Sequence, residues 1–154
     1  MATQWTAGTT SGQVLTAATL NTIGAAWESY TPTIKGGATT VTATIIYSKY
    51  ARINKNVIVQ VAATVTSAGA ANGIVTISLP VGLDALFNSD FRSVGVFVIK
   101  DSGVGWYTGV AITSGTTAIA ALSYGATNNM GANSPAMTLA NGDGVSMSII
   151  YEVA

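Results

Sequence analysis

Apolar and polar residues alternate along the clearest stretch of the chain, Thr40–Thr66. In its second half, one face carries only small apolar residues: Val57, Val59, Val61, Ala63 and Val65. In its first half, the corresponding positions are Val41, Ala43, Ile45 and Tyr47. A period of two in β-branched residues predicts pleated strands. Asn54-Lys55-Asn56 lies between the halves, and asparagine tolerates the left-handed backbone of a tight turn. The pattern therefore predicts a β-hairpin.

Similar short segments, separated by turn-forming residues, occupy the rest of the chain. The other predicted strands are Tyr30–Lys35, Ile74–Leu79, Phe91–Lys100, Gly105–Thr113, Ala118–Tyr124 and Val145–Val153. Asn72-Gly73 is the strongest two-residue hairpin signal in the chain. Phe91–Lys100 is apolar at both sets of alternate positions, which is typical of a strand buried on both faces. About eight strands at this spacing predict an all-β fold, an antiparallel, jelly-roll-like β-sandwich, with a seven-stranded immunoglobulin-like sandwich as the alternative.

The first 29 residues have a different pattern. Met1–Gln13 is rich in Thr, Gly and Ser and has one large apolar residue, Trp5. Val14–Ser29 places apolar residues at helical spacing, which predicts a short helix. We therefore divide the chain into an N-terminal arm with a short helix, residues 1–29, and a β-sandwich domain, residues 30–154. Because so short a segment cannot bury its own apolar residues, we expect it to attach to a partner surface. The expected attachment residues are Trp5, Leu15, Leu20, Ile23 and Trp27.

Charge is sparse in this chain. Only 8% of its 154 residues are charged, against about 25% in a typical protein, and six basic residues balance six acidic ones. Such a chain is a poor candidate for nucleic-acid binding, which needs clustered Lys and Arg. Polar residues interrupt the uncharged run Val57–Leu83 throughout, so it does not predict membrane insertion. Net charge near zero favours association. The composition indicates a subunit of a larger assembly.

The chain contains no cysteine and no histidine, which excludes thiolate metal sites and histidine-based catalytic triads. Asp84 and Asp90 are the closest carboxylates, and capping of a loop explains them better than acid–base catalysis. Asn141-Gly142-Asp143-Gly144 resembles the start of a calcium loop, but the alternation that follows it favours a hairpin turn. We therefore expect no enzyme activity, no metal and no cofactor.

Three of the six cations lie beside the predicted hairpin turn, next to two tyrosines. We interpret this group as a subunit interface or a protected sheet edge, although a basic stacking patch is an alternative. Its members are Tyr47, Lys49, Tyr50, Arg52 and Lys55. The three tryptophans, Trp5, Trp27 and Trp106, suit core or interface packing better than a sugar site.

Three stretches resemble small surface proteins of tailed bacteriophage virions, a group that includes capsid decoration, minor tail and fibre-tip proteins. They are Trp5–Asn21, Trp27–Thr33 and Tyr50–Val57. The resemblance implies a homotrimer of β-sandwich or jelly-roll domains with the arm on the particle, and it brings no catalytic or ligand residues.

The resemblance leaves three functions open. The first is a capsid decoration protein attached through its arm to the major capsid protein or another virion protein. The alternative is a tail-tip or tail-fibre protein that recognises a host-surface glycan, and a free lectin-like module is the third. Because the chain is short and has no fibrous shaft, decoration is favoured, with the virion surface as the expected location.

Overall fold

The computed structural model describes residues 26–67, 73–86, 94–123 and 137–153. These residues form ten β-strands and no helix, so the predicted all-β class is confirmed. The strands are β1 (Glu28–Ser29), β2 (Ile34–Gly36), β3 (Thr39–Thr40), β4 (Thr42–Ile53), β5 (Asn56–Ser67), β6 (Val75–Ser78), β7 (Val94–Asp101), β8 (Gly105–Ser114), β9 (Thr117–Ser123) and β10 (Gly144–Glu152).

The strands form one continuous antiparallel sheet, which we call the ladder, in the order β1-β4-β5-β10-β7-β8-β9-β6-β2-β3. The hairpin-connected strands β7, β8 and β9 are flanked by β10 beside β7 and by β6 beside β9. This is a Greek-key arrangement, the device from which sandwiches and jelly rolls are built. Only Val41 separates β3 from β4, although the two strands lie near opposite ends of the ladder. The ladder therefore folds over on itself as a sandwich-like structure.

A single hydrophobic core lies inside this folded ladder. It combines buried side chains from β2, β5, β6, β7, β8 and β10. The valine face of β5 lies in this core, because Val57, Val59, Val61 and Val65 are all 0% exposed. Tyr151 is the largest fully buried side chain, and its hydroxyl donates a hydrogen bond to the Leu83 carbonyl at 2.9 Å. The core thus ties the last described strand to the loop after β6.

The central hairpin is confirmed as β4 and β5. Asn54 is the only non-glycine residue with positive φ in the described part of the chain, at 56°. One detail of the prediction is wrong. The register shifts between Ile45, which pairs with Ala63, and Tyr47, which pairs with Ala62. This bulge turns Tyr47 away from the face that carries Ile45, because one extra residue reverses the alternation.

The expectation that Phe91–Lys100 is buried on both faces is also wrong for the isolated chain. Phe97 and Ile99 are 1% and 0% exposed, but Val96, on the opposite face of β7, is 63% exposed. The apolar residues of β7 therefore serve the core on one side and meet solvent on the other.

The first described strand, β1, lies within residues 1–29, which the sequence assigns to the arm and its short helix. Glu28 and Ser29 pair with Tyr50 and Lys49, so the segment assigned to the arm ends as a strand and the helix cannot extend to Ser29. The expected attachment residues Trp5, Leu15, Leu20 and Ile23 lie outside the described residues.

Candidate interaction surface

The side of the ladder opposite the core carries aligned rows of residues from five neighbouring strands. We call this surface of β4, β5, β10, β7 and β8 the outer face. Its rows are Ala51–Ile58–Ile150, Lys49–Gln60–Ser148–Val96–Val110, Tyr47–Ala62–Ser146–Val98–Thr108 and Thr44–Thr64–Gly144–Lys100–Trp106.

The outer face exposes large apolar side chains and few charges. Trp106 is 71% exposed, Val96 63% and Ile150 55%. Its charged residues are Lys49, Lys100 and Glu152, and the residues between them are uncharged. An apolar surface that continues across several strands marks an interaction site more often than scattered apolar residues do.

Three lysine–aromatic contacts, made by two lysines, border the outer face. On the β4 side, the Lys49 Nζ lies 4.6 Å from the Trp27 ring centroid and 5.8 Å from that of Tyr47. On the β8 side, the Lys100 Nζ lies 5.9 Å from the Trp106 ring centroid. Such contacts stabilise exposed rings by about 0.5–1 kcal/mol each. Trp27 and Tyr47 remain 47% and 45% exposed, so both rings also present apolar area to a partner.

Tyr50 lies on the side of β4 opposite the outer face, where it contacts Glu28 of β1. Its hydroxyl donates a hydrogen bond of 2.6 Å to Glu28 Oε2, and that bond to a carboxylate raises the pKa of Tyr50. Its ring contacts Tyr30 edge-on, with the centroids 6.1 Å apart. Tyr30 in turn donates to the Ser78 carbonyl at 3.2 Å, which links β1 to β6. Tyr50 therefore has a structural role within the chain.

Arg52 and Lys55 lie at the hairpin turn, away from the aromatic border of β4. The Arg52 Nε donates to the Asn54 carbonyl at 2.7 Å, and the Lys55 carbonyl accepts from the Val153 amide at 2.8 Å. The five residues grouped by sequence thus divide into two on the outer face, Tyr50 on the core side and two at the turn. Their role at an interface or edge stays a prediction.

Asp143 is the one buried charged residue in the described part of the chain, at 2% exposure. Its Oδ1 accepts the Ser102 amide at 2.9 Å and its Oδ2 accepts the Ala140 amide at 2.7 Å. Gly142, with φ of 94°, allows the turn that brings Asp143 to this position. Oδ2 therefore closes the turn before β10, and Oδ1 joins that turn to the β7–β8 turn. The turn interpretation of this segment agrees with that geometry.

Only one of the two carboxylates that lie closest in the sequence is among the described residues. Asp84 is exposed, and Asp90 lies outside the described residues. Within residues 26–67, 73–86, 94–123 and 137–153, no three His, Cys, Asp or Glu side chains group as they would around a metal ion. The same residues include no helix of the length and apolarity needed to cross a membrane.

Comparison with known proteins found no match to this chain. It matches no protein-family model, no curated protein and no solved structure.

Buried tyrosines should make the stability of the fold sensitive to alkaline pH. Burial raises the pKa of Tyr30 and of Tyr151 above the value of about 10 found in unfolded chains. Their contribution is complete below about pH 10. It is lost as the pH rises further, because the unfolded chain releases phenolic protons that the folded chain retains. We expect the Tm to fall above pH 10, and the fall to be shallower in Tyr151→Phe.

Thermal unfolding between pH 7 and pH 11.5 measures this dependence. Tyr47→Phe is the matched control, because it removes a phenol that is 45% exposed and lies outside the hydrophobic core. Parallel profiles for Tyr151→Phe and the unaltered chain would contradict the assignment of the effect to Tyr151.

Proposed function

We propose that this protein is a non-catalytic structural subunit of a tailed-bacteriophage virion. In this proposal it decorates the capsid as a homotrimer, and its N-terminal arm holds it to the major capsid protein or another virion protein. The outer face carries the proposal. It is an apolar, charge-poor surface across five strands of a chain in which only 8% of residues are charged. Such a surface suits permanent contact with protein better than contact with small polar substrates.

The positions of the three stretches that resemble phage proteins support attachment through the arm, because the two described stretches lie side by side where the arm joins the β domain. Trp27–Thr33 contains β1, and Tyr50–Val57 contains the end of β4 and the hairpin turn. The Tyr50–Glu28 hydrogen bond and the Tyr30–Tyr50 contact join these two stretches. The third stretch, Trp5–Asn21, precedes them in the chain. The chain therefore enters the sheet at β4, beside the aromatic border of the outer face.

Removal of the arm tests the attachment. Deleting Met1–Ala25 spares Trp27, β1 and the Tyr50–Glu28 bond, which a cut after Ser29 would remove. We expect the shortened chain to keep its fold and oligomeric state and to lose binding to phage particles prepared without the protein. Co-sedimentation measures the binding, and imaging of labelled full-length protein shows where on the particle it lies.

A point substitution is the matched companion to the deletion. Trp5→Ala should weaken attachment while the Tm stays within about 2 °C, since this residue precedes the β domain. If the shortened chain still binds particles, the arm is not the anchor. If it unfolds, the arm is part of the fold.

The second candidate is a tail-tip or tail-fibre protein that binds a host-surface glycan. The exposed rings of Trp27, Tyr47 and Trp106 favour it, because aromatic faces stack on the apolar faces of sugars. Label on the tail tip, together with tryptophan fluorescence quenching by purified host polysaccharide, would favour this candidate over decoration.

A further inference from the structure

We propose that the outer face is the surface through which copies of this chain contact one another, arranged head to tail around a closed ring. This inference rests on the proposed homotrimer and names the surface that forms it. The alternative arrangement, in which the outer face meets solvent and another surface forms the trimer, gives different results in the experiment below.

The first support is the apolar character of the centre of the outer face. Val96 and Ile150 lie on the adjacent strands β7 and β10, and they are 63% and 55% exposed. Ile58, on β5, pairs with Ile150 of β10 and is half-buried. Side chains of this kind gain most from leaving water. The neighbouring Ser146 and Ser148 are small, so a partner surface can approach the sheet closely.

The second support is the distribution of charge, which points to a copy of the same chain. Lys100 pairs with Gly144 at one end of β10, and Glu152 is at the other end of that strand. At 3.4 Å per residue the two ends are about 27 Å apart. In a head-to-tail ring, the Lys100 end of each copy adjoins the Glu152 end of the next. Every copy then offers a positive end to one neighbour and a negative end to the other, so each contact in the ring pairs opposite charges.

The third support is the composition of the rest of the chain. A strongly charged partner would meet few opposite charges on the outer face, because its charged residues are only Lys49, Lys100 and Glu152. A second copy of this chain is itself neutral and carries only six acidic and six basic residues. Contact between two such surfaces therefore takes few charges out of water.

Substitution at the centre of the outer face tests its role. The full-length double variant with Val96→Lys and Ile150→Lys is expected to elute with the mass of one 15.6 kDa chain in size-exclusion chromatography with light scattering at 10 µM, whereas the unaltered chain elutes as three copies. Val81→Lys is the matched control, because Val81 is 101% exposed but lies in the loop after β6, a strand that does not contribute to the outer face. It should remain trimeric. Circular dichroism verifies that all variants are folded.

Charge reversal tests the head-to-tail arrangement. Lys100→Glu and Glu152→Lys should each weaken association by at least tenfold at low salt. The double reversal should restore it to within about threefold of the unaltered chain, because it exchanges the signs of the two ends. Failure of the double reversal to restore association would overturn the head-to-tail arrangement.

The two levels of the proposal fail in different ways. A trimer that persists in the Val96→Lys, Ile150→Lys variant would overturn the outer face as the interface and leave the homotrimer standing. An unaltered chain that is monomeric at 10 µM would overturn the homotrimer itself. Loss of assembly through unfolding is recognised by circular dichroism, and Val96→Ser with Ile150→Ser then replaces the lysine pair, with a monomer still required.

Discussion

A Gly95→Ala variant is expected to lose about 3 kcal/mol or more of its free energy of unfolding. A Cβ atom at Gly95 would lie 2.2 Å from the Ser148 carbonyl oxygen and 2.7 Å from the Ile149 Cα. These are backbone atoms of β10, which pairs with β5 on one side and β7 on the other, so they cannot move without distorting the ladder. Overpacking in a core typically costs about 1–3 kcal/mol, and a rigid backbone neighbour places this site at the upper end.

Gly105→Ala is the matched control for Gly95→Ala. Gly105 also lies in a strand, but a Cβ there would meet nothing within 4 Å, and no positive φ requires glycine. We expect its free energy of unfolding to stay within about 1 kcal/mol of the unaltered chain. Urea unfolding of both variants measures the difference. Similar unfolding midpoints for the two would mean that β7 and β10 are not as closely packed at Gly95 as described.

Replacement of Asp143 by alanine is also expected to lower the free energy of unfolding strongly. Its buried carboxylate accepts two backbone N–H groups, and each bond to a charged group is worth about 1.5–3 kcal/mol. Because the Ser102 and Ala140 amides would lose their partners together, we expect a loss of about 3 kcal/mol. Asp143→Asn keeps one acceptor oxygen and should lose about half as much.

Asp84→Ala is the control for the Asp143 substitutions. Asp84 is an exposed aspartate in a loop, and its replacement should change the free energy of unfolding by no more than about 0.5 kcal/mol. Urea unfolding at pH 7 compares the three variants. If Asp143→Ala and Asp84→Ala were equally stable, the bonds that Asp143 accepts from Ser102 and Ala140 would contribute nothing measurable.

Local patterns account for the part of the fold that the sequence predicts. The β4–β5 hairpin and the β7–β8 hairpin join neighbours in the chain, and their turns carry asparagine or glycine with positive φ. Asn72-Gly73 misleads, since Gly73 has φ of 108° but β5 and β6 do not pair. A turn signal specifies local backbone geometry. Whether the strands on either side pair depends on the rest of the ladder.

The interaction surface depends on contacts that no sequence pattern announces. Asp143 reaches Ser102 across 41 residues, and Glu28 reaches Tyr50 across 22. The bulge beside Ile45 moves Tyr47 to the outer face, where it meets Lys49. Alternation in the sequence predicts two faces for each strand, but it does not say which face lies against the core. For β7 both faces are apolar, so only the three-dimensional fold distinguishes Phe97 from Val96.

The position of β10 has a consequence for how the protein is made. β10 follows every other described strand in the chain, yet it lies in the middle of the ladder between β5 and β7. During translation, the β4–β5 hairpin therefore cannot be joined through β10 to β7, β8 and β9 until β10 has left the ribosome. A prematurely terminated product would expose the unpaired edges of β5 and β7, which are sites for aggregation and proteolysis. Because of this strand order, only chains translated through Glu152 can complete the sheet.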